Sequence, residues 1–414
     1  MNRRTFLTLL GSPLLAAAGC RYWPHDGLSN DCLTSQLPDH LKGHELLQAT
    51  WAGIDSHQVW DCHTHLVGVG DSASGIYINP EMRSLWHPFQ YLQFKYYLEA
   101  SCAVATDAPT IDQGVVSRLV QLQQDLPGGY RSMLLAFDYL HDEQGKADSA
   151  NSPFYVPNDY AREMATRFPK AFEWIASIHP YRKDALSALD DAVRHNARAV
   201  KWLPSVMGID ASRARCDAFY EALVKHNLPL LTHVGDEQAV NSGSRKVYNN
   251  PLLFRRALEH GVKVIFAHCA SLGESVDLDK GPHGPSVANL ELFARLMAEA
   301  KWENQVYGDI AAITQVNRDR GVIEKVFQTD EWHDRLLYGT DYPLPGVFPL
   351  YSPQNFVDWG MLKETEAEVL SEVRRYNPLL FDVMLKRLIK VKGKQLSARV
   401  FETRRHFVKT SLEK

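Results

Sequence analysis

The run Val59-Trp60-Asp61-Cys62-His63-Thr64-His65-Leu66 is extended and apolar and ends in two histidines two positions apart. Side chains alternate faces along a β-strand, so His63 and His65 point the same way and can grip one metal ion. In a chain with 17 histidines a single His-x-His says little, and two polar residues closing a strand would look the same. The reading therefore depends on what closes the later strands. Leu228-Pro229-Leu230-Leu231-Thr232-His233 ends in a histidine, and so does Lys263-Val264-Ile265-Phe266-Ala267-His268. Leu336-Leu337-Tyr338-Gly339-Thr340-Asp341 ends in an aspartate, and Arg198-Ala199-Val200-Lys201-Trp202-Leu203 holds a lysine within a strand. Neutral imidazoles with one carboxylate leave a coordination position open, the arrangement of a catalytic rather than a structural metal site.

Residues so far apart in sequence can meet only if the fold gathers their strand ends. From Asp55 onward, short β-branched or apolar runs alternate with longer amphipathic ones, the signature of βα units. Eight strands are predicted, at Gln58–His65, Ser132–Tyr139, Glu173–His179, Ala197–Leu203, Pro229–Val234, Val262–His268, Gln305–Ala311 and Arg335–Asp341. Helical stretches fall between them at Asp184–His195, Ala214–His226, Pro251–His260, Val287–Ala300, Arg320–Thr329 and Lys363–Arg374. Asn250-Pro251 opens one of these and Gly261 closes it. The fold class expected is an α/β (β/α)8 TIM barrel with its metal site at the C-terminal mouth, where parallel strand ends converge. An open doubly wound sheet is the alternative. The long connection after the first strand carries Trp86, Phe89, Tyr91, Phe94, Tyr96 and Tyr97, which either cap the pocket or pack an extra helix on the barrel wall.

The 414 residues are 45% hydrophobic and 23% charged, enough for a large core. The formal charge is −4, and loss of Arg3 and Arg4 with a leader would make it −4 − 2 = −6, which argues against a nucleic-acid partner. Residues 1–19 read as an export signal: Arg3-Arg4-Thr5-Phe6-Leu7, an apolar run to Leu15, then Ala17-Ala18-Gly19-Cys20. The apolar run is shorter than the roughly 20 residues that span a membrane. The paired arginines resemble a twin-arginine signal, and Ala-Gly-Cys resembles a bacterial lipoprotein cleavage site with Ala17 where Leu is commoner. An ordinary cleaved signal and an uncleaved tail stay open. The protein is thus expected to be exported, periplasmic or membrane-anchored, touching a membrane only through a lipid on Cys20. Residues 20–53 read as a tether and N-terminal helix, 54–390 as the barrel, and 391–414 as a C-terminal tail whose Lys390–Lys394 stretch is a solvated basic face. Cys32, Cys62, Cys102, Cys216 and Cys269 form an odd, scattered set that does not read as a disulfide framework, and Cys62 and Cys269 are expected as core thiols.

The ordered motifs resemble the amidohydrolase superfamily, in particular the amidohydrolase-related branch that includes aminocarboxymuconate-semialdehyde decarboxylase, over roughly Asp55 to Phe381. By that resemblance His63, His65, His233 and Asp341 would bind a divalent metal, most often one zinc ion per chain. His268 would stand beside the activated water or the substrate. A two-metal arrangement would carbamylate Lys201 and add His268 as a ligand. The resemblance implies hydrolysis of an amide, lactone or ester bond of a small molecule. Asp341 would serve as the proton-transferring group, and His268 would stabilise an oxyanion or polarise the carbonyl. A decarboxylase or hydratase on the same site, or an inactive barrel serving as a binding lipoprotein, are the rivals. Weaker substrate-binding candidates are His179 and Arg182 after the third strand and Glu237 after the fifth. For Asp309, at the end of the seventh, a structural hydrogen bond is the safer expectation.

Overall fold

The computed structural model describes residues 27–236 and 243–408. The export signal, Cys20 and Glu237 lie outside the described residues. Eight parallel strands follow in chain order: β1 Trp60–His65, β2 Arg131–Leu135, β3 Phe172–Ile175, β4 Val200–Trp202, β5 Leu230–Thr232, β6 Val264–Phe266, β7 Val306–Asp309 and β8 Leu336–Leu337. Their side chains are almost all buried, as expected where helices cover one face and a barrel interior the other. Strands β1–β3 form one ladder and β4–β8 another, with each strand beside its sequence neighbour.

Single parallel bridges join the two ladders. At one seam Ala176 pairs with Val200, and the Lys201 amide donates to the Ala176 carbonyl at 2.7 Å. At the other Thr64 pairs with Tyr342, the Cys62 amide donates to Tyr338 O at 3.1 Å, and the Asp341 amide donates to His63 O at 2.8 Å. This is an α/β barrel of the TIM type. Gly339 has a steric reason at the second seam, because a Cβ there would come within 2.8 Å of His63 Cβ. All eight strands occur where expected, but each is shorter than its apolar run. The ladders stop early, and the chain bends across the mouth while still apolar and buried.

Arg387, on the helix Pro378–Leu388, fixes the N-terminal helix Glu45–Trp51 by donating to the carbonyls of Thr50 and Ala52. Beyond Lys390 the described chain is no free tail. Lys392 and Lys394 are exposed, but Leu396, Val400 and Phe401 are fully buried under the barrel, and Val400 O accepts from the Tyr338 amide. One departure from expectation, and one choice between two expected alternatives, involve the long connection after β1. Cys32 and Cys102 form a disulfide across 70 residues of sequence, a pairing that spacing alone gave no means of choosing. The helix Pro88–Ala100 turns Phe89, Phe94, Tyr96 and Tyr97 to the mouth, so the aromatic segment is a cap, with Trp86 exposed at its edge. Cys62, Cys216 and Cys269 are buried thiols. Among the described residues no helix is long and apolar enough to cross a membrane.

Candidate metal centre and cavity

The mouth encloses a cavity of about 580 Å³. Its floor is polar, with His63, His65, Lys201, His233, His268 and Asp341, and its roof is the apolar cap. Strand β1 supplies His63 and His65 directly, and a bulge between Asp61 and Thr64 shifts its register before pairing resumes at Thr64 and His65. Asp61, buried beneath, ties the ends of β1 and the β8 connection together. Its Oδ1 accepts from the amides of His63 and Thr340 at 3.1 and 2.9 Å, and its Oδ2 accepts from the hydroxyls of Thr64 and Thr340 at 2.8 and 2.6 Å.

Three donor atoms converge within 4.8 Å of one another: one each from His63, His65 and Asp341. His65 Nε2 lies 2.8 Å from Asp341 Oδ1, and His63 Nε2 lies 3.5 Å from the same oxygen. The orientation of His63 is set from behind. Its Nδ1 is 2.9 Å from Asp309 Oδ2, and a carboxylate can only accept, so the ring proton sits on Nδ1 and the Nε2 lone pair faces the cavity. Lys201 Nζ stands 3.1 Å from that lone pair. His268 follows the same logic, since Nδ1 donates to the Ala311 carbonyl at 2.9 Å and leaves Nε2 an acceptor 3.9 Å from Asp341 Oδ2. His268 and Asp341 both lie past their ladders in the left-handed region, at φ 56° and 62°, where the chain turns its side chains inward. His233 lines the same cavity with its ring centroid 5.2 Å from that of His268, although its nitrogens belong to neither group of donors within 4.8 Å.

Electrostatics match a ligand cluster. Burial pushes His63 and His268 down to about 4 and His233 to about 3, so all three are neutral near pH 7 and keep their lone pairs. Burial alone would raise Asp341, but His63 and His268, which become positive only in acid, together with the hydrogen bond from His65, hold it well below the usual carboxylate range. Asp309 is likewise depressed against its burial, chiefly through His63. A second convergence, His63, His268 and Asp309, is not a metal cage. Both Asp309 oxygens already accept, Oδ2 from His63 and Oδ1 from the amides of His268 and Ala311 at 2.8 and 3.0 Å.

The residues of the expected metal set thus line one cavity, together with His268 and Lys201. His179 and Arg182 do not reach it. The His179 ring is buried, with Nε2 donating to Met207 O at 2.8 Å and Nδ1 accepting from the Tyr181 amide at 3.1 Å. Arg182 is held by Asp138 and Asp184 at 2.9 and 2.7 Å. Conversely, Arg318 lines the cavity although nothing in the sequence singles it out. Its Nη1 donates to Gln315 at 2.7 Å and its Nε to Ser271 at 3.3 Å. It stands in a loop nine residues past β7, where no periodicity marks it.

The Amidohydrolase family model matches residues 60–379, which span every strand described above. The chain belongs to the Amidohydrolase family. It is therefore an enzyme of a metal-dependent, hydrolase-type family acting on small molecules. No curated protein matches it. Solved structures similar to this amidohydrolase include a probable 2-pyrone-4,6-dicarboxylic acid hydrolase of Acinetobacter baumannii with citric acid bound (12% identity, 81% of this chain and 97% of that one, TM-score 0.42). Another is 4-oxalomesaconate hydratase of Rhodopseudomonas palustris (13%, 78% and 96%, TM-score 0.41). A third is IDCase of Metarhizium anisopliae in apo form (14%, 87% and 100%, TM-score 0.43).

Proposed function

We propose that this amidohydrolase holds one divalent metal, most simply zinc, and hydrolyses a C–N or C–O bond of an amide, lactone or ester. The observation that carries the reading is the convergence of His63, His65 and Asp341 with the His63 lone pair turned inward by Asp309. His233, on the same cavity floor, completes a set of three imidazoles and one carboxylate. A metal bound there supplies Lewis acidity, which can bring the pKa of water from 15.7 to about 7.

The chain's own residues divide the remaining work. Asp341, ionised and with Oδ2 directed toward His268, takes up a proton and returns it to the leaving nitrogen or oxygen. His268, neutral with its proton fixed on Nδ1, presents an acceptor to the cavity. That orientation speaks against its expected role as an oxyanion donor and for orienting the attacking water. Lys201, buried on the floor with Nζ 3.1 Å from His63 Nε2, is placed to donate to a developing oxyanion. The roof of Phe89, Phe94, Tyr96 and Tyr97 suits a substrate with an apolar body and excludes water around it.

We also propose that the chain is exported, which the Cys32–Cys102 disulfide supports because such bonds persist in oxidising compartments. The test of the enzymatic reading is reconstitution of metal-stripped protein with zinc, followed by an ester, lactone and amide panel in ¹⁸O-water. One ¹⁸O per product carboxylate, dependent on added metal, is expected. Carbon dioxide release without ¹⁸O uptake would replace the hydrolase with a decarboxylase.

A further inference from the structure

The cap that roofs the cavity has an outer edge that a water-soluble enzyme has little reason to keep. Leu85, Trp86, Phe89 and Leu92 are 76%, 92%, 81% and 52% exposed, and they fall within eight consecutive residues. Other exposed apolar residues, such as Leu186 and Val224, stand singly, which is ordinary for a protein surface. A contiguous patch is not ordinary and marks an interaction surface. Its layout is ordered. Phe89 and Leu92 are three apart on the helix Pro88–Ala100 and so share a face, and the Trp86 amide is fixed by a hydrogen bond to the Ser84 hydroxyl at 3.2 Å.

Three features choose the occupant. Cations flank the patch, with Arg83 over the Phe94 ring at 5.7 Å and Lys95 over the Tyr91 ring at 5.7 Å. Exposed tryptophan and apolar side chains bordered by Lys and Arg are the composition of a segment that seats at a lipid–water interface. The second feature is the path of the N-terminal chain. Asn30 donates to Gly346 O, Cys32 is bonded to Cys102, and Leu28 shares a groove with Tyr96 and Glu99 of the cap helix. Cys20 lies seven residues before Gly27, so covalent geometry confines it to within about 25 Å of that residue. At 1.5 Å per residue, the ten residue steps from Phe89 to Glu99 put the exposed edge about 15 Å from the chain's entry point. An acyl group on Cys20 and the exposed edge can therefore reach one bilayer surface together. Continuity with the cavity is the third feature, because Phe89 and Leu92 belong both to the exposed edge and to the lining.

We propose that Leu85, Trp86, Phe89 and Leu92 form a membrane-docking edge that seats the cavity mouth on an anionic lipid bilayer. The edge supplies a reversible lipid contact of its own beside any lipid on Cys20, and it opens the apolar roof toward solutes held in the lipid.

The experiment uses the full chain with Cys20→Ser, so that the result does not depend on acylation, and vesicles of phosphatidylethanolamine and phosphatidylglycerol whose acyl chains carry bromine. Quenching of tryptophan fluorescence is expected, with a component that disappears in Trp86→Phe. The variant Leu85→Ser/Phe89→Ser/Leu92→Ser, compared in the same background, should bind vesicles about tenfold more weakly, with the same Tm and metal content. Equal quenching in the parent and Trp86→Phe, or equal vesicle affinity of the parent and the serine variant, would overturn the proposal. So would a lipid-free dimer that the serine variant dissociates, since the edge would then belong to a second copy of the chain.

Discussion

His179 and His268 look interchangeable in the sequence: each closes an apolar run that ends a barrel strand, and each is buried. In the structure they are opposites. Backbone groups occupy both nitrogens of His179, Met207 O on one and the Tyr181 amide on the other. Only Nδ1 of His268 is taken in this way, by Ala311 O, while Nε2 is turned toward Asp341. Burial lowers the pKa of both, so acidity does not separate them. What separates them is the second nitrogen. A histidine can act as a ligand or base only if the protein pins one side of the ring and leaves the other, and His63 is arranged the same way through Asp309.

The contrast can be broken by substitution, and the strongest effects belong on the cavity floor. Asp341→Asn should lower kcat/KM on a hydrolysed substrate by roughly 10³- to 10⁴-fold while circular dichroism stays unchanged, because the variant keeps the shape and loses the proton acceptor. Full activity would remove Asp341 from proton transfer. His268→Gln should cost on the order of 10²-fold in kcat. Asp309→Asn touches no substrate, yet it removes the acceptor that fixes the His63 proton. Its expected signature is metal affinity about 10- to 100-fold weaker in a chelator competition, and unchanged affinity would show that His63 needs no such support.

A pH effect follows from the neutral imidazoles. His63, His233 and His268 sit at about 4, 3 and 4 when folded and near 6.5 when unfolded. Between pH 4 and 6.5 the unfolded chain therefore binds protons that the folded chain refuses, so the stability of metal-free protein falls as pH drops through that window. His268 alone can contribute roughly 3 kcal/mol. Asp382 works the other way. Burial raises it to about 7 despite Lys386 at 2.6 Å, so its protonation favours the folded state over much of the same range. The test is therefore the difference between parent and His268→Gln. Melting temperatures of metal-free protein at pH 7.5 and pH 5 should fall less in the variant, and parallel losses would mean that His268 is not neutral when folded.

The legible parts of the molecule were those written in local pattern. All eight strands and the cavity-floor residues follow from apolar runs and the side chains within or closing them, and the six helical stretches, five between strands and one after the last, follow from amphipathic periodicity. Strand ends were less legible, because hydropathy does not register where ladder hydrogen bonds stop. Val262–His268 narrowed to Val264–Phe266 for that reason, and His268 sits on a left-handed turn that no propensity announces. Arg318 and the Cys32–Cys102 pair depend on contacts made after the loops have folded. His179 and Arg182 stand outside the cavity because a strand-end position fixes neither an open ring nitrogen nor the direction of a guanidinium.

The smallest effect on catalysis belongs to that pair, and it is where the contrast is most exposed. Asp138 Oδ2 accepts from both the His179 amide and Arg182 Nη1, each at 2.9 Å, and Arg182 also reaches Asp184 through Nε and Nη2. Arg182 thus anchors the chain after β3 and touches nothing in the cavity. Arg182→Gln leaves a buried carboxylate short of its charged partner and should cost about 1–3 kcal/mol of stability, visible as a lower Tm. Its kcat/KM should stay within about twofold of the parent. A rise in KM of tenfold or more at unchanged Tm would reverse the assignment, for it would mean that Arg182 releases Asp138 and meets the substrate, and that the third strand end is catalytic ground after all.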